Sequence, residues 1–401
     1  IQGIRDLMGD GSKESLDVSQ IAAIKMGTTV ATNALLEREG DPTLLVVTNG
    51  FRDALAIGYQ ARPDIFAKKI IKTDSLYSHV LEVRERVRVD GTVEEKPDSE
   101  AVERALQSYY DQGIRSVAIV FMHAYAFPEH EKIVAEIAQH VGFTQISASH
   151  QVSPLMKLVG RGDTSVVDAY LSPVLSRYVQ GIKEELGVGG QSEFGDLNLN
   201  FMMSSGGLTD ANRFQGKDAI LSGPAGGVVG AVETSEMAGF NRIIGFDMGG
   251  TSTDVSHYDG VLERSFETEV AGVRIRAPMM QIHTVAAGGG SILHYDGARF
   301  RVGPESAGAN PGPKCYRRGG PLTVTDANVM VGKLKSENFP KIFGPEQDQP
   351  LDEQAVRNSF EKLAHEIGDG RNAEDVADGF LAIAVENMAN AIKKISVQRG
   401  Y

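Results

Sequence analysis

The chain has 401 residues, 41% of them hydrophobic and 23% charged, a composition typical of globular proteins with a large buried interior. Its formal net charge of −13 argues against a nucleic-acid partner and against an anionic membrane surface. No apolar run reaches the ~18 residues that a membrane span needs, and one cysteine, Cys315, excludes an intrachain disulfide. These features predict a cytoplasmic protein of two or three domains, without a signal peptide.

Strand and helix signals alternate through the first half of the chain. Residues 20–26 are predicted to form a strand that leads into a helix. Thr28 and Thr29 can cap the start of this helix, and Gly40 is predicted to end it. The pattern continues with strand 43–48, helix 98–113, strand 115–121, helix 128–142 and strand 143–149. This alternation predicts an α/β fold with a largely parallel sheet.

Residues 184–198 are glycine-rich and polar, and we place a domain boundary there. A second α/β unit is predicted beyond it. Its elements are a strand at 199–204, a glycine-rich helix start at 222–239, a strand pair around 242–258 and an amphipathic helix at 374–395.

The strand pair carries the most informative motif, FDMGGTSTDVS. An apolar strand delivers Asp247 to a Gly249–Gly250 turn, hydroxyl residues including Thr251 and Thr253 follow, and Asp254 begins the return strand. Glycines leave backbone amides open to an anion, and the two carboxylates suit a hydrated Mg²⁺ beside a polyphosphate. The alternative is a plain hairpin whose aspartates cap turn amides.

Two further glycine clusters flank this motif. Gly223, Gly226 and Gly227 lie at a helix start, where glycine wastes helix propensity unless a ribose or phosphate approaches closely. Gly288, Gly289 and Gly290 follow a strand-like run, and we interpret them as another wall of the same nucleotide site. Close helix-on-sheet packing is the alternative for the first cluster, and an ordinary loop for the second.

Seven segments in order resemble one family, hydantoinase A/5-oxoprolinase. They are GTTVATNALLER, HEK after MHAYAFPE, SGPAGGVVG, FDMGGTSTDVS, TVAAGGGS, VGPESAGANPGPKCY and VTDAN. The likeness covers essentially the whole chain, and GYQARPDIF and FPKIFGPEQDQPL are most similar to the 5-oxoprolinase branch. DMGGTSTDVS is also similar to the second phosphate-binding hairpin of the actin, Hsp70 and sugar-kinase superfamily.

The resemblance implies two RNase H-like α/β domains of actin/Hsp70 type around an interdomain nucleotide cleft. It also implies ATP-dependent opening of a cyclic amide, 5-oxo-L-proline or a hydantoin. Asp247 and Asp254 would then hold Mg²⁺ and, with Thr251, serve catalysis. Gly249, Gly250 and Thr253 would cradle phosphate oxygens, and the other two glycine clusters would line the nucleotide.

The same resemblance leads us to expect an internal fragment, truncated at both ends. Residues 1–183 would be an N-terminal-type domain without its first phosphate hairpin, and residues 199–401 an ATPase domain without its adenosine segment. We expect the isolated piece to fold without turning over. The implied partners are a lactam substrate, a hydantoinase B-like second subunit or fused domain, and further copies of the chain in a homo-oligomer.

Substrate-contacting candidates are Thr29, Asn33, Arg62, Asp64 and His283. A solvated helix position is the alternative for Asn33, a surface ion pair for Arg62 and Asp64, and a core position for His283. Cys315 is either a reactive thiol beside Arg317 and Arg318 or a buried structural cysteine.

Two rival functions stay open. Within the family, a hydantoinase or a ketone carboxylase subunit would differ in its substrate pocket. In another class, an actin-fold module would sense nucleotide and couple it to partner binding. ATP cleavage that does not depend on a cyclic amide would favour this last reading.

Overall fold

The computed structural model describes residues 1–8, 21–60, 66–69, 74–186 and 198–401. These residues form two compact units. Unit 1 comprises Ile1–Gly226 with Arg264–Met280, and unit 2 comprises Gly227–Glu263 with Gln281–Tyr401.

The helices are, in chain order, α1 (Gln2–Met8), α2 (Val30–Glu37), α3 (Ala54–Ile57), α4 (Ser99–Asp111), α5 (Glu129–Val141), α6 (Ser149–Val152), α7 (Leu158–Glu185), α8 (Gly216–Ala219), α9 (Ser222–Met237), α10 (Val324–Met330), α11 (Glu353–Ile367) and α12 (Ala373–Ile395). Short 3₁₀ turns occur at Ala211–Arg213, Lys314–Tyr316, Ser336–Asn338 and Val397–Arg399.

The strands are, in chain order, β1 (Ile24–Met26), β2 (Thr43–Thr48), β3 (His79–Val83), β4 (Arg86–Val87), β5 (Val93–Glu95), β6 (Ser116–Val120), β7 (Gln145–Ala148), β8 (Leu199–Met202), β9 (Leu208–Asp210), β10 (Arg242–Met248), β11 (Thr253–Asp259), β12 (Arg264–Ser265), β13 (Thr268–Val270), β14 (Val273–Ile275), β15 (Met279–Met280), β16 (Ile282–Val285), β17 (Ser291–Tyr295) and β18 (Phe300–Ser306).

A four-stranded parallel sheet, in the order β3-β2-β6-β7, organises the first half of unit 1. Every residue of β2 is buried, because helices cover both faces of the sheet. Leu44 and Val46 pack in the core that holds Leu106 of α4, and Leu45 and Val47 pack in the core that holds Val166 of α7. The predicted α/β fold with a parallel sheet is confirmed.

Helix boundaries in this layer follow the predicted signals. The Asp98 side chain accepts a hydrogen bond from the Ala101 amide at 3.2 Å and caps α4. Gly142 ends α5 in the left-handed conformation, with φ of 110°. One predicted end is wrong: α2 stops at Glu37, because Arg38 takes the left-handed conformation there. Gly40 instead leaves room for the Tyr170 ring, which a Cβ would overlap.

A second sheet of unit 1, in the order β1-β8-β9, joins sequence from both sides of the predicted domain boundary. Ile24 pairs with Leu199 and Met26 with Phe201 in parallel register. The compact units therefore do not coincide with the predicted ranges 1–183 and 199–401, because strand pairing unites segments that are remote in sequence. Most of segment 184–198 lies outside the described residues.

Unit 2 contains antiparallel strands, most of α9 and the helices α10, α11 and α12. The strands form one sheet in the order β10-β11-β16 and a separate pair, β17-β18. Helices α10, α11 and α12 enclose a core around Phe360 and Phe380. Helix α12 also packs Ala391 and Ile395 against Val255 of β11, which fixes the sheet on the helical layer. The predicted amphipathic helix and strand pair are confirmed.

Among the residues that the structure describes, no helix combines the length and the apolar character needed to cross a membrane.

Candidate functional site

The hairpin of β10 and β11 places two carboxylates side by side. The strands pair without a bulge, and Asp247 lies directly opposite Asp254. Residues in this relation project from the same face of a sheet, with Cβ atoms about 4.5–5.5 Å apart. Asp247 is exposed and Asp254 is half-buried. The sequence predicted the two carboxylates, and the register shows that they share one face.

A third polar residue extends this row across the sheet. Thr284 of β16 lies opposite Asp254, and its hydroxyl donates a hydrogen bond to Asp254 Oδ1 at 2.6 Å. Burial raises the pKa of Asp254, and the charge of Asp247 acts in the same direction, whereas the bond from Thr284 opposes both. We call Asp247, Asp254 and Thr284 the carboxylate row.

The carboxylate row fits a hydrated divalent cation better than a metal caged by protein. Mg²⁺ keeps several waters and commonly takes one or two carboxylates plus phosphate oxygens. Two adjacent carboxylates also repel each other, and a cation between them removes that repulsion. No group of three or more His, Cys, Asp or Glu side chains within the described ranges could hold a metal by itself.

The turn between the two strands offers open backbone. Gly249 donates its amide to the Ser252 carbonyl at 2.9 Å and so closes the turn. Gly250 and Thr251 are exposed, and no described residue accepts a hydrogen bond from either amide. A Cβ on Gly250 would meet no atom within 4 Å, so packing within the chain does not require glycine there. Such a tip is suited to an anion that approaches the backbone.

The three glycines at 288–290 support this turn from behind. Gly289 and Gly290 donate their amides to the carbonyls of Gly249 and Gly250, at 3.1 and 2.6 Å. Gly288 donates to the Ser291 hydroxyl at 2.9 Å. Because all three amides are occupied within the chain, these glycines are placed to hold the turn rather than to bind phosphate through N–H groups. The predicted nucleotide contact stays untested.

Thr253 has a similar supporting position. Its side chain is buried, and its hydroxyl donates to the Ala287 carbonyl at 2.5 Å. It also points to the opposite face of β11 from Asp254, because successive residues of a strand alternate. This placement does not favour the phosphate contact that the sequence suggested for Thr253. Thr251, at the exposed tip, is the better placed hydroxyl.

The glycine cluster of α9 falls at the division between the units, which lies between Gly226 and Gly227. A Cβ on Gly227 would meet no atom within 4 Å, and one on Gly226 would reach only Met202, at an ordinary 3.7 Å. Gly223 is tighter, with Thr29 Cγ2 3.2 Å from its Cβ position. Close packing therefore explains glycine at 223 but not at 226 or 227.

The described residues that the sequence suggested for substrate contact lie on different elements of the structure. Thr29 and Asn33 are exposed at the start of α2 in unit 1, where Thr29 adjoins the first turn of α9. His283 pairs with Val255 on the face of the sheet that α12 covers, opposite the carboxylate row. Burial, followed by the charge of Lys394, lowers the pKa of His283. Arg62 and Asp64 lie outside the described residues.

Cys315 is a structural residue. Its side chain is fully buried in the α10–α12 core, and its amide donates to Asp326 Oδ1 at 2.8 Å. Burial raises the pKa of the thiol, and the Asp326 charge raises it further. The expected effect of neighbouring arginines is therefore outweighed, and of the two interpretations of Cys315 the buried one is correct.

Thr284 is the site residue that sequence reasoning missed. Alternation along IHTV shows only that Thr284 and His283 face opposite sides, not which side carries the aspartates. That choice depends on the β11–β16 register, which pairs Asp254 with Thr284. No local sequence signal specifies it.

Comparisons with known proteins agree with the motif resemblance. The family model Hydantoinase/oxoprolinase matches residues 161–401, and the model of the Hydantoinase/oxoprolinase N-terminal region matches residues 1–142. The chain is 45% identical over 436 residues to 5-oxoprolinase of Dictyostelium discoideum, which covers 97% of this chain and 34% of that protein. It is 34% identical over 394 residues to the caprolactamase subunit alpha of Pseudomonas jessenii, covering 94% and 54%.

The fold agrees as well. The crystal structure of the ATP-dependent caprolactamase from Pseudomonas jessenii matches with a TM-score of 0.79 and 30% identity, over 100% of this chain and 58% of that one. The chain spans about a third of the length of the curated 5-oxoprolinases that it matches. With both family models matched in order, the chain belongs to the hydantoinase/oxoprolinase family.

Proposed function

We propose that the polypeptide containing this chain hydrolyses a cyclic amide at the expense of ATP, and that its substrate is 5-oxo-L-proline, opened to L-glutamate. One observation carries the proposal. The Asp247–Asp254 pair lies at the base of an exposed glycine turn, in a chain 45% identical to a 5-oxoprolinase over 97% of its length.

The chemistry explains why ATP is consumed. A lactam carbonyl is a poor electrophile, and transfer of the γ-phosphoryl group to its oxygen makes that oxygen a leaving group. One water adds to the carbon of the phosphorylated lactam and the C–N bond breaks, with the proton going to the nitrogen, which leaves a ring-opened acyl phosphate. A second water then displaces phosphate from the acyl carbon and leaves the carboxylate. The sum is one lactam, one ATP and two waters converted to glutamate, ADP and phosphate. Such transfer depends on positioning and charge neutralisation rather than on a covalent enzyme intermediate.

The hairpin residues have distinct tasks in this scheme. Asp247 and Asp254 would hold a hydrated Mg²⁺, which would neutralise the charge that develops on the phosphate oxygens. The free amides of Gly250 and Thr251 donate to those oxygens from the turn. Gly289 and Gly290 keep the turn carbonyls fixed, so the donors need no rearrangement during the reaction.

The two open glycines of α9 have the room that a nucleoside contact would need. Neither glycine is required by neighbouring atoms, because a Cβ on Gly226 makes only an ordinary contact with Met202 and one on Gly227 meets no described atom within 4 Å. We propose that both glycines contact the nucleoside. Thr29 and Asn33, exposed at the start of α2, are our candidates for contact with the lactam.

We also propose that ring opening needs a second subunit or domain. The relative with 34% identity is itself named a subunit alpha, and the curated 5-oxoprolinases are about three times as long as this chain. The same relative acts, by its name, on caprolactam. A lactam of another ring size is therefore the second candidate substrate.

The test uses the full-length polypeptide with any partner subunit. Phosphate release and ring-opened product are measured with 5-oxoproline, hydantoin, caprolactam or no amide. We expect release with 5-oxoproline that matches glutamate formation one to one. If phosphate release is highest with hydantoin or caprolactam, that amide is the substrate instead of 5-oxoproline. If no amide changes phosphate release, the protein is better explained as a nucleotide sensor.

A further inference from the structure

Thr284 contacts one of the two hairpin carboxylates, that of Asp254, from outside the hairpin itself. Its hydroxyl lies 2.6 Å from Asp254 Oδ1, and β16 brings it into register with Asp254. Asp254 Oδ2 and both carboxylate oxygens of Asp247 accept no hydrogen bond from the side chains or amides that the structure describes.

The fold does not need this hydroxyl. Thr284 is exposed, so water competes for the bond, and a hydrogen bond of this kind contributes little to stability. A β-branched residue suits a strand whether or not it carries a hydroxyl. What the bond does control is orientation, because the terminal torsion of an aspartate is broad and takes its direction from a partner.

Thr284 is itself firmly positioned, because it begins a segment that also holds the turn. Within residues 284–290, Ala287 accepts the Thr253 hydroxyl, and Gly289 and Gly290 donate to the turn carbonyls. One continuous stretch of backbone thus holds the Asp254 carboxylate at one end and the Gly249–Gly250 turn at the other.

We propose that Thr284 is a positioning residue, which holds one oxygen of Asp254 so that the other stays directed for a cation and its bound phosphate. The inference deepens the proposed function, but it depends only on cation–nucleotide binding at the carboxylate row and not on which amide is opened.

The experiment compares Thr284→Val and Thr284→Ser in the full-length enzyme with its partner. Valine keeps the shape without the hydroxyl, and serine keeps the hydroxyl. Removing a partner that orients a metal-binding carboxylate typically lowers metal affinity or activity by about 10- to 100-fold. We expect valine to lower kcat and the calorimetric affinity for Mn²⁺·ADP by about that factor, with little change in the KM for the amide. Serine should restore both to within about threefold.

Thr268→Val is the matched control, since Thr268 is a strand threonine whose hydroxyl bonds no described residue. All variants should keep the wild-type melting temperature. Wild-type kcat and Mn²⁺·ADP affinity in Thr284→Val would overturn the proposal, as would equal losses in the valine and serine variants. If the wild type opens no cyclic amide, the proposed function fails, and the Mn²⁺·ADP measurement still decides the role of Thr284.

Discussion

Gly288 lies so close to Gly249 that a Cβ on Gly288 would stand 2.8 Å from the Gly249 carbonyl oxygen. The same Cβ would be 2.8 Å from the Ser252 amide and 2.9 Å from the carbonyl carbon of Gly250. All of these atoms are backbone, so none can move aside without moving the turn. The glycine run and the hairpin turn are therefore fitted to each other.

The first prediction follows from this contact. Gly288→Ala should destabilise the full-length protein by roughly 1–3 kcal/mol, as overpacking does, and should lower ATP-dependent turnover by displacing the turn. Thermal unfolding and phosphate release measure the two effects. Gly227→Ala is the control for stability, because it meets no atom and replaces glycine within a helix. Equal melting temperatures for the two variants would contradict the packing argument.

The second prediction concerns the exposed carboxylate of the row. Asp247→Asn in the full-length enzyme should remove nearly all amide-dependent phosphate release, at least about 100-fold, while the melting temperature stays unchanged. Asp259→Asn is the matched control, an aspartate at the far end of the same strand pair that forms an exposed ion pair with Arg242. Near-normal turnover in Asp247→Asn would rule out the cation assignment.

The third prediction tests the nucleoside side of the site. Gly227→Val should raise the KM for ATP more than the KM for the amide, because a Cβ at this position meets no atom of the described residues within 4 Å. Steady-state kinetics with each substrate varied in turn measure the split. If both constants rise together and the melting temperature falls, Gly227 serves the fold and not the ligand.

The fourth prediction concerns pH and an ion pair in unit 1. Arg274 Nε donates to Asp163 Oδ2 at 2.9 Å, yet burial outweighs this attraction and raises the pKa of Asp163 to about 6. The unfolded value is about 4, so between these values the folded state binds the proton more tightly. The stabilisation from this proton is complete below about pH 4 and is lost as the pH rises through about 6.

The stabilisation that the Asp163 proton contributes is at most about 3 kcal/mol, at 1.36 kcal/mol per pKa unit. Urea unfolding of the wild type and of Asp163→Asn at several pH values between about 4 and 8 measures it. The free energy of unfolding of the wild type should fall relative to that of the variant as the pH rises. Parallel curves would show that Asp163 has an ordinary pKa.

The fifth prediction is that Cys315 does not react with thiol reagents in the folded protein. Its side chain is fully buried, and its raised pKa leaves almost no thiolate near neutral pH. Iodoacetamide labelling followed by peptide mass spectrometry should show modification of Cys315 only after unfolding in urea. Labelling in the native state at the unfolded rate would mean that the core around α10 opens readily.

Local chemistry was enough to predict the α/β layer of unit 1. The run 43–48 is short and apolar on both faces, as a buried parallel strand is, and it is β2 as predicted. Asp98 and Gly142 begin and end helices because their side-chain and backbone preferences act over a few residues. The carboxylates and glycines of the hairpin were predicted from sequence order alone, because Asp247, Gly249 and Gly250 directly follow an apolar strand.

The sequence by itself determined the fold class, the family and the hairpin with its two aspartates. Only the tertiary structure decided which face of the sheet each residue occupies. Strand pairing between segments distant in sequence set Thr284 beside Asp254, placed His283 on the opposite face and joined β1 to β8 across the predicted boundary. A register shift of one residue would exchange the two faces, and no local preference fixes that register. The supporting role of Gly288–Gly290 likewise emerged only from the approach of two backbones.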